Sequence, residues 1–473
     1  MIENKKSRKE GYTFTNAAGY SFGQVSLITA NQAFSFLVFT FYYTVIEINV
    51  NLISIGFLVW SIWNAFNDPL IGYISDRTHT KWGRRRPYIM IGLVPLALVM
   101  FFLFAPPIAF GLANESGNFT YFIAIILIFE LCYTIYDINL TSLFPEIFIS
   151  KEDRMKANNV RQVFAILGLI FAYVLPGIFI SDYSDPDSLP QYQIFGITIT
   201  IIIIIVGIIF LKFSPKERLE FQQEYQTMPS FVQSFKLCIK NKSFRWFIPA
   251  VMANMYVNLM LTTIVPLYGK FVLNIGEGET LFLSLMLGLS FISAAIFITV
   301  LWKPVTKKIG LRRGWMFSSL LWLISLIPFL FIKERWFGLI AFIFVGIGIA
   351  GGLYFPDITL SDIIDEDEVM HGTRREASFF GFYIFFLRLT NIFVYFSISL
   401  VFSYAGWGDF DPILGTTEAV IFGLRILAFV FPAIALAIII LTMYKFPLDK
   451  EQLNMIKDKL EEIHQEKKAR INR

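Results

Sequence analysis

From Ile194 to Leu211 the chain runs without a single charge, in a stretch dominated by isoleucine. About 20 mostly apolar residues in a helix are what the hydrocarbon core of a bilayer requires. Comparable runs fall near 17–45, 51–74, 88–110, 119–146, 160–180, 245–272, 280–302, 315–332, 336–360, 378–404 and 417–444, which makes about twelve. Several exceed 25 residues, as expected of tilted helices that protrude from the bilayer. Backbone in lipid must satisfy its own hydrogen bonds, and long continuous apolar runs do so as helices. Hydrophobic residues make up 56% of the chain and charged residues 16%, against about 25% charged in soluble domains. That is too little charge to cover soluble domains. It excludes an ordinary soluble enzyme, a disordered chain and a nucleic-acid binder.

The N-terminus, Met1–Glu10, is polar and lysine-rich. The first apolar run begins near Ala17 and is too long and too rich in Asn, Gln and Ser for a signal-peptide core, so it reads as a retained membrane helix. Cys132 and Cys238 lie far apart and outside any C-x-x-C pair, and His79, His371 and His464 all fall in polar stretches. Neither a disulfide framework nor a haem or metal cofactor is expected. Lys and Arg placement sets orientation. Alternate loops carry Arg77, Lys81 and Arg84–Arg86, then Lys151, Arg154 and Lys156, then Lys212–Lys242, Lys303–Arg313, and Arg374 and Arg375. The opposite loops are acidic, with Glu47, Glu115, Asp182, Asp185, Glu277, Asp409 and Asp411. The pattern predicts an even number of spans in the cell membrane, with both termini cytoplasmic.

The longest polar connection separates the sixth and seventh spans. The predicted organisation is 1–213, a six-helix half; 214–243, a cytoplasmic loop; 244–444, a second half; and 445–473, an amphipathic tail with Leu453, Ile456, Leu460 and Ile463 on one face. Thr80-Lys-Trp-Gly-Arg-Arg-Arg86 follows span two, and Thr306-Lys-Lys-Ile-Gly-Leu-Arg-Arg313 follows span eight. A parallel repeat of six plus six spans is the mark of an all-α membrane protein of the major facilitator fold, with 12 transmembrane helices in two halves.

An ionised side chain at mid-membrane costs about 2.5–3.5 kcal/mol even on the lenient insertion scale, so those that persist face the bundle interior and act there. On span two, Ser61, Asn64, Asn67 and Asp68 share a helical face; on span four, Glu130, Thr134, Asp137 and Thr141 do. Tyr20, Gln24 and Asn31 form a sparser stripe on span one. Two acidic stripes in an apolar half-bundle suggest a cation site, with Glu130 extending a proton path. In the second half, Arg388 is deep in span eleven with Asn391 on its face, and Arg425 lies near the end of span twelve. Arg388 is expected to be the counter-charge to the acids across the cavity between the halves, so that an entering cation competes with it.

The block Asn64-Ala-Phe-Asn-Asp68-Pro-Leu-Ile-Gly72-Tyr-Ile-Ser-Asp76-Arg77 with Gly83-Arg-Arg-Arg-Pro87 resembles the signature of the glycoside–pentoside–hexuronide:cation symporters. These are the melibiose-permease-like branch of the major facilitator superfamily. A second block, Ser361-Asp362-Ile-Ile-Asp365 through Gly372-Thr-Arg374-Arg375-Glu376, agrees. The resemblance spans about Tyr12 to Tyr444 and implies a cation site at Asn64, Asn67, Asp68 and Thr134. The family has an acid where this chain has Asn64. Its sugar-binding acid on span four corresponds to Asp137. Its acid on span one falls at Val25, its stacking aromatic at Thr141, and its span-eleven lysine at Arg388. Solute contacts are therefore expected from Asp137, Gln24, Thr141, Arg388 and Asn391. Gating is expected from charge pairs at the helix ends: Asp76 with Arg84, Arg85 and Arg86, and Asp362 and Asp365 with Arg374 and Arg375.

The reading is a symporter, not an enzyme, since no nucleophile–base pair stands out. Its partners are a sugar, glycoside or related polar solute, a coupling Na+ or H+, and the lipid bilayer; a monomer is expected. The alternative is a carrier of lysophospholipid or another lipid-like solute, because the same branch resembles sodium-dependent lysophospholipid carriers and 52 Phe residues suit an apolar cavity.

Overall fold

The computed structural model describes residues 12–78, 80, 83, 85–107, 114–148, 151–215, 237–371 and 375–471. Twelve helices among them are long and apolar enough to cross a membrane. In the first half these are α1 Phe14–Val45, α2 Val50–Gly72, α3 Arg86–Phe104, α4 Glu115–Phe144, α5 Glu152–Phe179 and α6 Pro186–Phe213. In the second they are α7 Lys242–Phe271, α8 Thr280–Ile309, α9 Leu311–Leu330, α10 Arg335–His371, α11 Ser378–Tyr404 and α12 Glu418–Lys445. The tail forms α13, Lys450–Ile471, with Leu453 buried and Ile456 packed on the core. Apolar periodicity stops the tenth span at 360 and starts the fifth at 160, whereas both helices run about two turns or more further. Hydropathy marks the hydrocarbon thickness, not the helix ends. Capping is local: Thr13 Oγ1 accepts the Asn16 N–H at 3.1 Å, and Asn241 Oδ1 accepts the Phe244 N–H at 2.9 Å.

The two halves repeat each other. α1 and α7, the first helix of each, are the most buried of the twelve. The repeated loop motif places Gly83 and Gly310 at equivalent turns, both with positive φ, 107° and 83°. The arginines that follow do matching work: Arg86 donates to the Leu211 carbonyl at the end of α6, and Arg312 Nε donates to the Met443 carbonyl at the end of α12, 2.9 Å away. Each satisfies carbonyls that the last turn of a helix leaves without partners. Small residues let α10 lie against its neighbours: a Cβ on Gly346 would fall 1.8 Å from Ser293 Oγ on α8, and one on Gly351 would fall 1.6 Å from Ser318 Oγ on α9.

Both ends of the described chain lie at one end of the bundle, here the terminal end; the other is the distal end. The halves are joined distally. Phe57 of α2 stacks on Tyr395 of α11 with centroids 3.5 Å apart. Tyr43 donates to the Trp407 carbonyl, the Val50 N–H to the Gly408 carbonyl at 2.9 Å, and Asn49 to Asp409 at 2.6 Å. On the opposite flank, Tyr183 and Ser284 share a hydrogen bond of 2.7 Å, and Lys270 pairs with Asp182 at 2.8 Å. Towards the terminal end the halves part. Val174 of α5 lies beside Gly288 of α8, but Ile170, Leu167 and Val163, on the next turns of that stripe, are exposed.

Gly310 has φ 83° and ψ 170°, a region essentially open to glycine alone, where another residue costs about 1–3 kcal/mol. Gly310→Ala should therefore lower the thermal midpoint of the purified protein. Gly381→Ala, at a helical site with nothing within 4 Å of the added Cβ, should not.

Candidate functional site

α2 and α4 of the first half and α11 of the second converge on one group of charges. Asp68 lies on α2. Its Oδ1 accepts the Thr134 hydroxyl of α4 at 2.9 Å, and its Oδ2 faces Arg388 Nε of α11 at 3.3 Å. Arg388 Nη2 is 4.0 Å from Asp137 Oδ2. Asp137 in turn accepts the Thr141 hydroxyl at 2.9 Å. Thr134 also lies 3.4 Å from Glu130 Oε1, and Glu130 is 1% exposed. The side chains of Asp68, Arg388 and Asp137 are 16%, 20% and 23% exposed, as befits groups that line a cleft. With every carboxyl ionised, one guanidinium leaves this cluster two charges short of neutrality. Uncompensated charge away from bulk water is strongly unfavourable.

The amides beside Asp68 are poised in the same way. Asn64 is fully buried, and neither its Oδ1 nor its Nδ2 has a partner among the described residues. Asn67 gives its Nδ2 to the Glu130 carbonyl at 3.3 Å and keeps its Oδ1 without a partner. Two buried amide oxygens, one carboxylate and one hydroxyl are oxygen ligands of the kind a hard cation takes. Of the four cation residues expected from sequence, Asp68 and Thr134 touch, and Asn64 and Asn67 lie buried on the helix that carries Asp68. Ser61, on the same face, donates instead to the Phe57 carbonyl of its own helix at 2.7 Å.

The expected solute residues are placed less evenly. Asp137, Thr141 and Arg388 border the cleft. Gln24 is half-buried on α1, at the level where Tyr136 reaches the Gly23 carbonyl at 3.4 Å. Val25 is buried and offers the solute nothing. Asn391 is buried, and its Nδ2 is used by the Arg388 carbonyl at 3.0 Å. Three polar features escaped the sequence reading. Gln32 accepts the Tyr173 hydroxyl at 2.5 Å, joining α1 to α5. Arg161 of α5 sits over the Phe144 ring, 4.8 Å from its centroid. Asp357 of α10 is exposed inside the bundle. The last was legible, since it is an acid within the predicted tenth span.

Three of the expected gating residues, Arg85, Arg86 and Arg375, have partners within their own halves. Arg85 is bound to Glu146, on the turn that continues the α4 helix to Ile147, at 2.9 Å, with both side chains nearly buried. Arg375 makes a two-pronged pair with Asp367, at 2.8 and 2.5 Å, not with Asp362 or Asp365, which lie half-buried on α10. Arg84 and Arg374 lie outside the described residues, as does the side chain of Asp76.

The chain matches the family described as MFS/sugar transport protein over residues 19–450. It belongs to that family. The transporter is 24% identical to an uncharacterized symporter of Synechocystis, over 78% of this chain and 82% of the relative. It is 22% identical to the mouse sodium-dependent lysophosphatidylcholine symporter 1, over 98% of this chain and 91% of the relative. It is 24% identical to the isoprimeverose transporter of Lactiplantibacillus pentosus, over 71% of this chain and 69% of the relative. Its fold is that of the solved nucleoside transporter NupG (TM-score 0.64, 16% identity, 91% of this chain and 100% of that one). The solved D-xylose–proton symporter shares it (TM-score 0.61, 15% identity, 87% and 97%). The protein is a multi-pass membrane transporter of the major facilitator fold and not an enzyme.

Removing one member of a buried ion pair leaves the other uncompensated, at about 3–5 kcal/mol. Arg85→Ala should therefore lower the thermal midpoint of the transporter sharply, and adding Glu146→Gln to it should recover part of the loss.

Proposed function

We propose that the protein is a cation-coupled symporter of a sugar, glycoside or related polar organic solute, working by alternating access between its two halves. The observation that carries this reading is the Asp68–Arg388–Asp137 cluster, which combines an excess of negative charge with contributions from both halves. Solute sites of such carriers lie between the repeats near the bilayer midplane. Asp137, Thr141 and Gln24 supply hydroxyl-recognising oxygens and an amide on one wall. A cation entering beside Asp68 displaces Arg388, and the halves are then free to rearrange. The coupling ion is Na+ or H+. The distribution of Lys and Arg supports a cytoplasmic terminal end, in the cell membrane, and the unit is a monomer.

A second reading is a lipid-like solute. It is favoured by the lysophosphatidylcholine symporters of mouse and chicken, which align with 98% of this chain, against 71% for the isoprimeverose transporter.

Uptake into proteoliposomes of labelled sugars, glycosides and a lysophospholipid, under imposed Na+ or proton gradients, separates the two. Gradient-driven accumulation of a sugar or glycoside is expected; accumulation of the lysolipid alone would overturn the first reading. Asp68→Asn should abolish accumulation while leaving solute exchange measurable, and a fully accumulating Asp68→Asn variant would remove Asp68 from the coupling site.

A further inference from the structure

An open groove of about 290 Å³ lies between α9 and α12 of the second half, walled by Arg313, Met316, Phe317 and Leu320 of α9 and by Ile440 of α12. On α9 these residues fall at i, i+3, i+4 and i+7, one stripe along about 10 Å of helix. Phe317 and Leu320 are exposed, as befits a surface that faces lipid. Arg313 lies in the first turn of α9, at the terminal end of the bundle. A charge therefore stands at the head of an otherwise apolar groove.

That charge is uncommitted. The neighbouring Arg312 donates to the Met443 carbonyl at 2.9 Å, whereas among the described residues the Arg313 guanidinium has neither a hydrogen bond nor an ion pair. Residues 303–313 include five basic side chains and no acid, and the first turn of α9 carries neither an acid nor a capping side chain. The first half offers an internal comparison. Aligned on Arg86 and Arg312, the arginines that hold the helix ends, it places Met90, Ile91 and Val94 at the matching positions, all apolar and exposed. Pro87 stands where Arg313 does. The apolar stripe is repeated; the charge is not.

We propose that this groove binds one anionic phospholipid of the surrounding bilayer, with its phosphate on Arg313 and one acyl chain along Phe317 and Leu320 against Ile440. A planar guanidinium matches phosphate oxygens, and basic pockets between membrane helices take anionic headgroups. The apolar length of the groove selects a lipid over free phosphate. The surrounding basic residues select an anionic headgroup over a zwitterionic one, whose ammonium would add to the positive charge at this end. The site belongs to the second half alone.

The test is native mass spectrometry of the purified protein with phosphatidylglycerol or phosphatidylcholine of the same acyl chains. The wild type should bind its first phosphatidylglycerol about tenfold more tightly than phosphatidylcholine, or roughly 1.4 kcal/mol. Arg313→Gln should erase that preference, and Leu320→Trp, which fills the groove, should weaken the same binding step. Lys333→Gln, which removes an exposed charge at the distal end, should leave it unchanged, and inorganic phosphate should not compete. A preference kept in Arg313→Gln or Leu320→Trp, or lost equally in Lys333→Gln, would leave general charge attraction as its source and overturn the site. Displacement by inorganic phosphate would overturn a lipid as the occupant.

Discussion

The contact between Asp68 and Arg388 is the constraint on which the rest of the structure depends. Burying either charge alone within a membrane span is unfavourable by several kcal/mol, and pairing them offsets much of that. The pairing needs α2 of one half and α11 of the other at the same depth and facing each other, so it fixes the register of the two halves. It also remains incomplete. Asp137 shares the same guanidinium at a longer distance, and among the described residues the Glu130 carboxyl is reached through the Thr134 hydroxyl and the buried Asn64 side chain has no partner. A fully satisfied network would serve as structural glue. This one leaves negative charge and buried amide groups free for a further ligand.

Around that point the fold is arranged to be tight within each half and separable between halves. Within halves, helix ends are tied by arginines to carbonyls and buried carboxylates, as Arg86, Arg312, Arg85 and Arg375 show. Glycine approaches such as Gly346 and Gly351 bring backbones close. Between halves, the distal contacts are stacked rings, short hydrogen bonds and one partly exposed ion pair. Contacts of that kind can be broken and remade without opening either core.

Much of this was legible in the sequence, and the parts that were not have physical reasons. Apolar runs mark spans because the bilayer demands them, so twelve helices appear where twelve runs do. The rarity of charge in those runs is what singled out Asp68, Glu130, Asp137 and Arg388, and three of these meet directly. Helix ends outside the hydrocarbon carry no such signal, which is why α10 continues to His371 unannounced. The partners of charged residues at those ends were also hidden. Arg375 has several acids within reach along α10, and only the folded turn selects Asp367. Asp357 was as legible as Asp68 and Asp137, since it is an acid inside an apolar run.

Whether Arg388 competes with the coupling cation for Asp68 can be read without knowing the solute. Trp60 and Trp63 are within about one turn of Asn64 on α2, so their fluorescence reports on the site as the purified protein is titrated with sodium chloride and, separately, with acid. Competition predicts that Arg388→Gln binds the cation more tightly, with a midpoint at about tenfold lower cation concentration, or roughly 1.4 kcal/mol. It also predicts that adding Asp68→Asn abolishes the response. A wild-type midpoint in Arg388→Gln would contradict it.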